Sequence, residues 1–98
     1  MDIRNNTHLH RFETETGGKL SIIQYKRIDD DTLALIHTEV DPSLEGQGIG
    51  SKLVQGALEY VEQNNLTIVP LCPFVSAYLK RHPEWNRVVS KEYSVNDF

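Results

Sequence analysis

The sequence predicts an α/β domain whose sheet starts as an antiparallel meander and ends in one parallel βαβ unit. Three observations carry this. The first forty residues alternate apolar and polar side chains between short polar turns. A glycine-rich loop then opens a segment with apolar residues at helical spacing. A β-rich apolar run follows, and a strand–helix–strand unit sets its two strands parallel with a right-handed crossover.

The elements follow in order. His8 to Glu13 alternates and reads as a strand, with Thr16-Gly17-Gly18 as its turn. Leu20 to Arg27 is a second strand, with Leu20 and Ile22 on one face and Ile23 and Tyr25 on the other. Asp29-Asp30-Asp31 is a solvated turn. Thr32 to Val40 is a third strand, and its Leu33-Ala34-Leu35-Ile36 run predicts burial on both faces. Ile49, Leu53, Val54, Ala57, Leu58 and Val61 then recur at helical spacing, ending near Gln63 before Asn64-Asn65. Leu66 to Leu71 is a buried strand. Pro73 suits the first position of a helix running to about Arg81, which Pro83 stops. Val88-Val89 fits a last short strand. One domain over residues 1–98 is expected, with a tail frayed from about residue 90.

Composition excludes several classes. Hydrophobic residues make 39% and charged residues 24%, the profile of a globular domain. The net charge of −4 argues against a nucleic-acid module, which carries a basic face. No run is apolar enough for a membrane span, and Met1 to His10 lacks the apolar core of a secretory signal. With the single cysteine Cys72 there is no internal disulfide, and a cytoplasmic setting is expected. His8-x-His10 has no third ligand at fixed spacing, so no metal is expected.

The strongest local signal is Gly46-x-Gly48-x-Gly50 between a strand and an amphipathic helix. Glycines let the backbone turn tightly and let a ligand approach it, and the helix N-terminus beyond favours a phosphate. A tight turn that needs glycine for geometry alone is the other reading. A P-loop requires Gly-Lys-Ser/Thr, and here the order is Gly50-Ser51-Lys52. A dinucleotide loop requires a third glycine where Ser51 stands.

The run Gly46-Gln47-Gly48-Ile49-Gly50-Ser51-Lys52-Leu53 resembles the acetyl-CoA pyrophosphate loop of the GCN5-related N-acetyltransferases. Cys72-Pro73 after the next strand and His82-Pro83-Glu84-Trp85 are similar to the small stand-alone members of that superfamily. The resemblance implies a minimal acyl-CoA N-acyltransferase fold in which acetyl-CoA lies where two parallel strands splay apart. It implies the cofactor contacts Val40, Gly46, Gln47, Gly48, Ile49, Gly50, Ser51, Lys52 and Pro73. On charge alone, Lys52, Lys80 and Arg81 are candidates to meet the CoA phosphates. Glu45 stands where that pattern carries Arg or Gln, so its carboxylate is expected to point to solvent.

Cys72 at a helix N-terminus is favoured as a thiolate, which would suit a nucleophile that carries the acetyl group transiently. A small buried hydrophobe is the alternative. His37 and Glu39 share a strand face, and the resemblance makes Glu39 the base that deprotonates an amine, with His37 as the other choice. It makes Tyr78 the group that reprotonates the leaving thiolate. The expectation is an acetyltransferase acting on an amine acceptor of unknown identity, as a monomer or weak homo-oligomer. A non-enzymatic CoA-binding module and an interaction domain that has lost the cofactor remain open.

Overall fold

A computed structural model describes residues 2–98; Met1, the first residue of the expected domain, lies outside them. Its sheet has five strands, β1 (Arg4–Asn6), β2 (Arg11–Thr16), β3 (Lys19–Asp29), β4 (Thr32–Glu39) and β5 (Thr67–Pro70). Their spatial order follows their chain order. The pairings from β1 to β4 are antiparallel, and β4–β5 is parallel, as the meander and the βαβ unit predict. The helices are α1 (Ile49–Gln63), which connects β4 to β5, and α2 (Pro73–Arg81), with 3₁₀ turns at Pro42–Leu44, Pro83–Val88 and Val95–Asp97.

Two strand expectations are corrected. His8 to His10 form the β1–β2 turn, and the strand begins at Arg11. Asn6 Oδ1 accepts the Leu9 N–H at 3.0 Å and His10 takes a left-handed φ of 53°, so side-chain turn chemistry overrides the alternating pattern. The second correction is Ile36, which is 44% exposed and not part of a doubly buried run. The β3–β4 register pairs Gln24 with His37 and Tyr25 with Leu35, so Ile36 is the extra residue of a β-bulge.

Strand β1 holds an edge without apolar content of its own. Glu13 on β2 is buried and accepts from Arg4 Nε at 2.9 Å, Arg11 Nε at 2.7 Å and the Asn6 amide. The Arg11 guanidinium, helped by Arg4 and Asn6, holds the Glu13 carboxyl below its ordinary pKa against the opposing effect of burial.

One core fills the space between sheet and helices. Leu53, Val54, Ala57, Leu58 and Val61 of α1 pack with Phe12, Ile23, Tyr25, Leu33 and Leu35 of the sheet and with Val75, Tyr78 and Leu79 of α2. Ile23 and Tyr25 thus face inward and Ile22 lies on the other face, as the alternation predicts. Each fully buried Val, Leu, Ile or Phe side chain among them contributes about 1.5–3 kcal/mol. Val88-Val89 makes a single parallel bridge, Val89 to Ile68, at the end of the Pro83–Val88 turn. In the tail, Ser94 and Asp97 form a capping box and the Tyr93 hydroxyl donates to Asp29 at 3.0 Å. Among the described residues no helix is long and apolar enough to cross a membrane.

Candidate active site

The site lies at the carboxyl ends of β4 and β5. The chain leaves β4 through Asp41, whose carboxylate accepts the Ser43 N–H at 2.9 Å and its hydroxyl at 2.6 Å. The Ser43 hydroxyl holds the Asp41 carboxyl below its usual pKa. The backbone then turns through Gly46 at φ 83° and Gly48 at φ 71°, where side chains are strained. Gly48 is the N-cap of α1 and has no side chain with which to cap it. The first N–H groups of α1 are therefore free to meet a ligand.

Gly50 is required for a different reason. A Cβ there would stand 2.6 Å from Cζ of Phe74, in the first turn of α2. The ring and the loop enclose a cavity of about 250 Å³ lined by Val40, Leu44, Glu45, Gly46, Gly48, Ile49, Gly50, Ser51 and Phe74. Gln47 and Lys52 are exposed beside it, on the loop and on the first turn of α1.

The two parallel strands part here. Their pairing ends at Leu35 and Pro70, and the Cys72 N–H then closes on the Leu35 carbonyl at 2.8 Å. From Ile36 to Glu39 the β4 backbone continues with β3 as its strand neighbour. Cys72, the N-cap of α2, is buried, and its Sγ lies 3.2 Å from Thr38 Oγ1 at the point of separation.

The bulge at Ile36 sorts the candidate catalytic residues onto two faces. Thr38 pairs with Ile23, whose side chain is in the core, so Thr38 shares the helix side with Cys72. His37 and Glu39 pair with Gln24 and Ile22 and lie on the opposite face. They are exposed there, with His37 Nε2 3.6 Å from Glu39 Oε1. Tyr78 is buried one and a half turns beyond Cys72 on α2 and stacks on His82 at 4.3 Å. Burial pushes its phenol above the ordinary pKa, so it holds its proton more tightly than a free tyrosine.

The fold therefore gathers Val40, Gly46, Gly48, Ile49, Gly50 and Ser51 around one cavity and puts Cys72 and Pro73 at the adjacent seam. Lys80 and Arg81 belong to the last turn of α2, about 10 Å along the axis from Pro73. Lys80 borders a separate groove with Pro70, Ser76 and Leu79. Two residues escaped the reading of the sequence. Phe74 is an exposed aromatic in a first helical turn, and its meaning depends on the facing Gly50. Thr38 shows its inward parity only once the bulge is known. His8 and His10 are exposed in the β1–β2 turn, and among the described residues no group of His, Cys, Asp and Glu suited to a metal ion occurs.

Comparison with known proteins identifies the family. A family model described as GCN5-related N-acetyl-transferase matches residues 11–88. The curated protein NATD1 of Xenopus tropicalis is 29% identical over 63 residues, covering 64% of this chain and 58% of that protein. NATD1 of Homo sapiens is 29% identical over 63 residues, with 64% of this chain and 56% of that protein covered. The chain thus spans little more than half the length of these relatives. A GCN5-like protein from Staphylococcus aureus, solved by NMR in solution, superposes with a TM-score of 0.68 at 27% identity, covering 91% of this chain and 87% of that one. The chain belongs to the GCN5-related N-acetyltransferase family.

Proposed function

We propose that the protein binds acetyl-CoA at the glycine loop and the β4–β5 seam and transfers the acetyl group to an amine. The observation that carries this is the parting of β4 and β5 immediately beside the loop that opens α1. The backbone fits such a donor. Gly46, Gly48 and Gly50 keep side chains out of the cradle, α1 presents unpaired N–H groups, and the free stretch of β4 offers main-chain groups to an extended pantetheine. In the transfer, the amine nitrogen bonds to the thioester carbonyl carbon, the carbon–sulfur bond breaks, and CoA leaves as a thiolate. A proton is lost from the nitrogen and one is gained by the thiolate. Glu39, with His37 beside it, is the proposed acceptor of the first proton, and Tyr78 the donor of the second.

The contact between Thr38 Oγ1 and Cys72 Sγ favours a second route, in which Cys72 carries the acetyl group in between. Cys72 Sγ bonds to the thioester carbonyl carbon as the bond to CoA sulfur breaks, and CoA leaves as its thiol with the Cys72 proton. The amine nitrogen then displaces Cys72, which regains a proton from the nitrogen. An amide NMR titration with acetyl-CoA tests the binding. Shifts should concentrate at residues 46–53 and 72–80. Unshifted spectra at millimolar ligand would sink the proposal. Intact-mass measurement after incubation with acetyl-CoA separates the routes. An acetyl adduct absent from Cys72→Ala supports the relay, and an adduct that persists in that variant removes it.

A further inference from the structure

The charges around the loop point to the part of the donor from which this site draws its affinity. Glu45 lines the cavity, and among the described residues no lysine or arginine does so. The remaining walls are apolar, from Val40, Leu44, Ile49 and Phe74, or glycine backbone, with the uncharged hydroxyl residue Ser51 at the start of α1. The neighbouring depression, which shares Val40, adds two further carboxylates, Glu39 and Asp41. The cations nearby are Lys19, close enough to Asp41 to steady its charge, and Lys52, exposed on the first turn of α1. Lys80 borders another groove and Arg81 follows it on the last turn of α2. The whole chain is negative, at −4.

We infer that the site recognises the acylated pantetheine arm and gains little from the phosphates and nucleotide of CoA, with Glu45 as the residue that sets this preference. The inference rests on the proposed acetyl-CoA reading. The physical reasoning compares two kinds of contact. An uncharged pantetheine amide chain meets apolar walls and main-chain groups and is indifferent to a nearby carboxylate. A pyrophosphate meets the N–H groups of α1 but also the Glu45 carboxylate, and these two effects oppose each other. The 3′-phosphate has no cation on the cavity wall to pair with. The substrate class is therefore an acyl thioester of pantetheine, of which acetyl-CoA is one form and acetyl-pantetheine, without any phosphate, is another.

The experiment compares dissociation constants for acetyl-CoA, S-acetyl-4′-phosphopantetheine and S-acetylpantetheine, for the wild-type chain and Glu45→Gln, at low and high salt. The expected result is three affinities within about threefold of one another in the wild type. Glu45→Gln should tighten acetyl-CoA by about two- to fivefold and leave S-acetylpantetheine unchanged. Added salt should hold or strengthen acetyl-CoA binding, because it screens repulsion. Acetyl-CoA binding more than tenfold tighter than S-acetylpantetheine, and weakened by salt, would overturn the inference while leaving the acetyl-CoA site intact. Failure of all three thioesters to bind would remove the site itself. Glu45 is exposed on a loop, so the variant keeps the fold.

Discussion

The two ends of the β4–β5 pair are built to opposite plans. At the amino ends the strands are cross-tied. Thr32 and Thr67 hydroxyls meet at 3.3 Å, the Thr67 N–H donates to the Asp31 carbonyl at 2.8 Å, and Ser90 N–H bonds Ile68 O at 2.8 Å. Asp29 accepts from the Asp31 N–H and from Tyr93, and the Asp31 backbone contact leads in holding its carboxyl below the usual range. At the carboxyl ends the strands separate, and glycines replace side chains. A cavity opens there, just beyond the last ties, the Cys72 N–H to the Leu35 carbonyl at 2.8 Å and the Cys72 Sγ–Thr38 Oγ1 contact at 3.2 Å. The contrast teaches a division of labour: polar partners at one end hold the sheet together, and beyond Cys72 at the other the strands part and leave a cavity.

The largest expected effect breaks that division. Leu35 is fully buried, ends the strand pairing, and its carbonyl receives the Cys72 N–H. Leu35→Ala should lower stability by about 2–5 kcal/mol through the cavity it leaves. Urea unfolding would measure this, and acetyl-CoA binding should fail with it. A loss below 1 kcal/mol would mean the two ends are not joined through this core.

The second change sharpens the comparison. Gly50→Ala places a methyl against the Phe74 ring. Binding of acetyl-CoA should weaken by about tenfold, whereas stability should move by less than about 1 kcal/mol because alanine suits a helix. Adding Phe74→Ala should restore part of the binding, a coupling that a double-mutant cycle reads. If the unfolding midpoint of Gly50→Ala falls as far as that of Leu35→Ala, the open end carries stability after all.

The smallest effect belongs to the tied end and to acid. Asp29 has a lowered carboxyl pKa in the folded chain, so its stabilisation is present above the ordinary aspartate value near 3.9 and is lost as pH falls through the folded value. Asp29→Asn should flatten that part of the stability–pH curve without altering acetyl-CoA affinity at neutral pH. A thermal-melt series from pH 6 to pH 2.5 would show it, and an unchanged slope would remove Asp29 from the account.

Much of the fold was legible because periodicity and punctuation agreed. The α1 pattern from Ile49 to Gln63, the Pro73 start of α2 and the Gly17-Gly18 turn all appear where local chemistry places them. Strand β1 was not legible, since Arg4, Asn5 and Asn6 carry no apolar signal and are held by a carboxylate on another strand. The bulge at Ile36 was invisible for a related reason. Register is settled between two strands and leaves no mark on either alone. For the site, the glycine loop could be read from spacing, but the placement of His37 and Glu39 away from Cys72 depends on that bulge.

A sheet whose spatial order repeats its chain order also has a kinetic side. Each strand from β1 to β4 pairs with the one just made, across short turns, so loop closure asks little entropy of the chain at those steps. The parallel β4–β5 contact joins residues 35 positions apart, across the whole of α1. The seam beside Cys72 is thereby made by the closure of longest sequence separation in the sheet. The rate of folding should be governed by that one step, and the hairpins should form ahead of it.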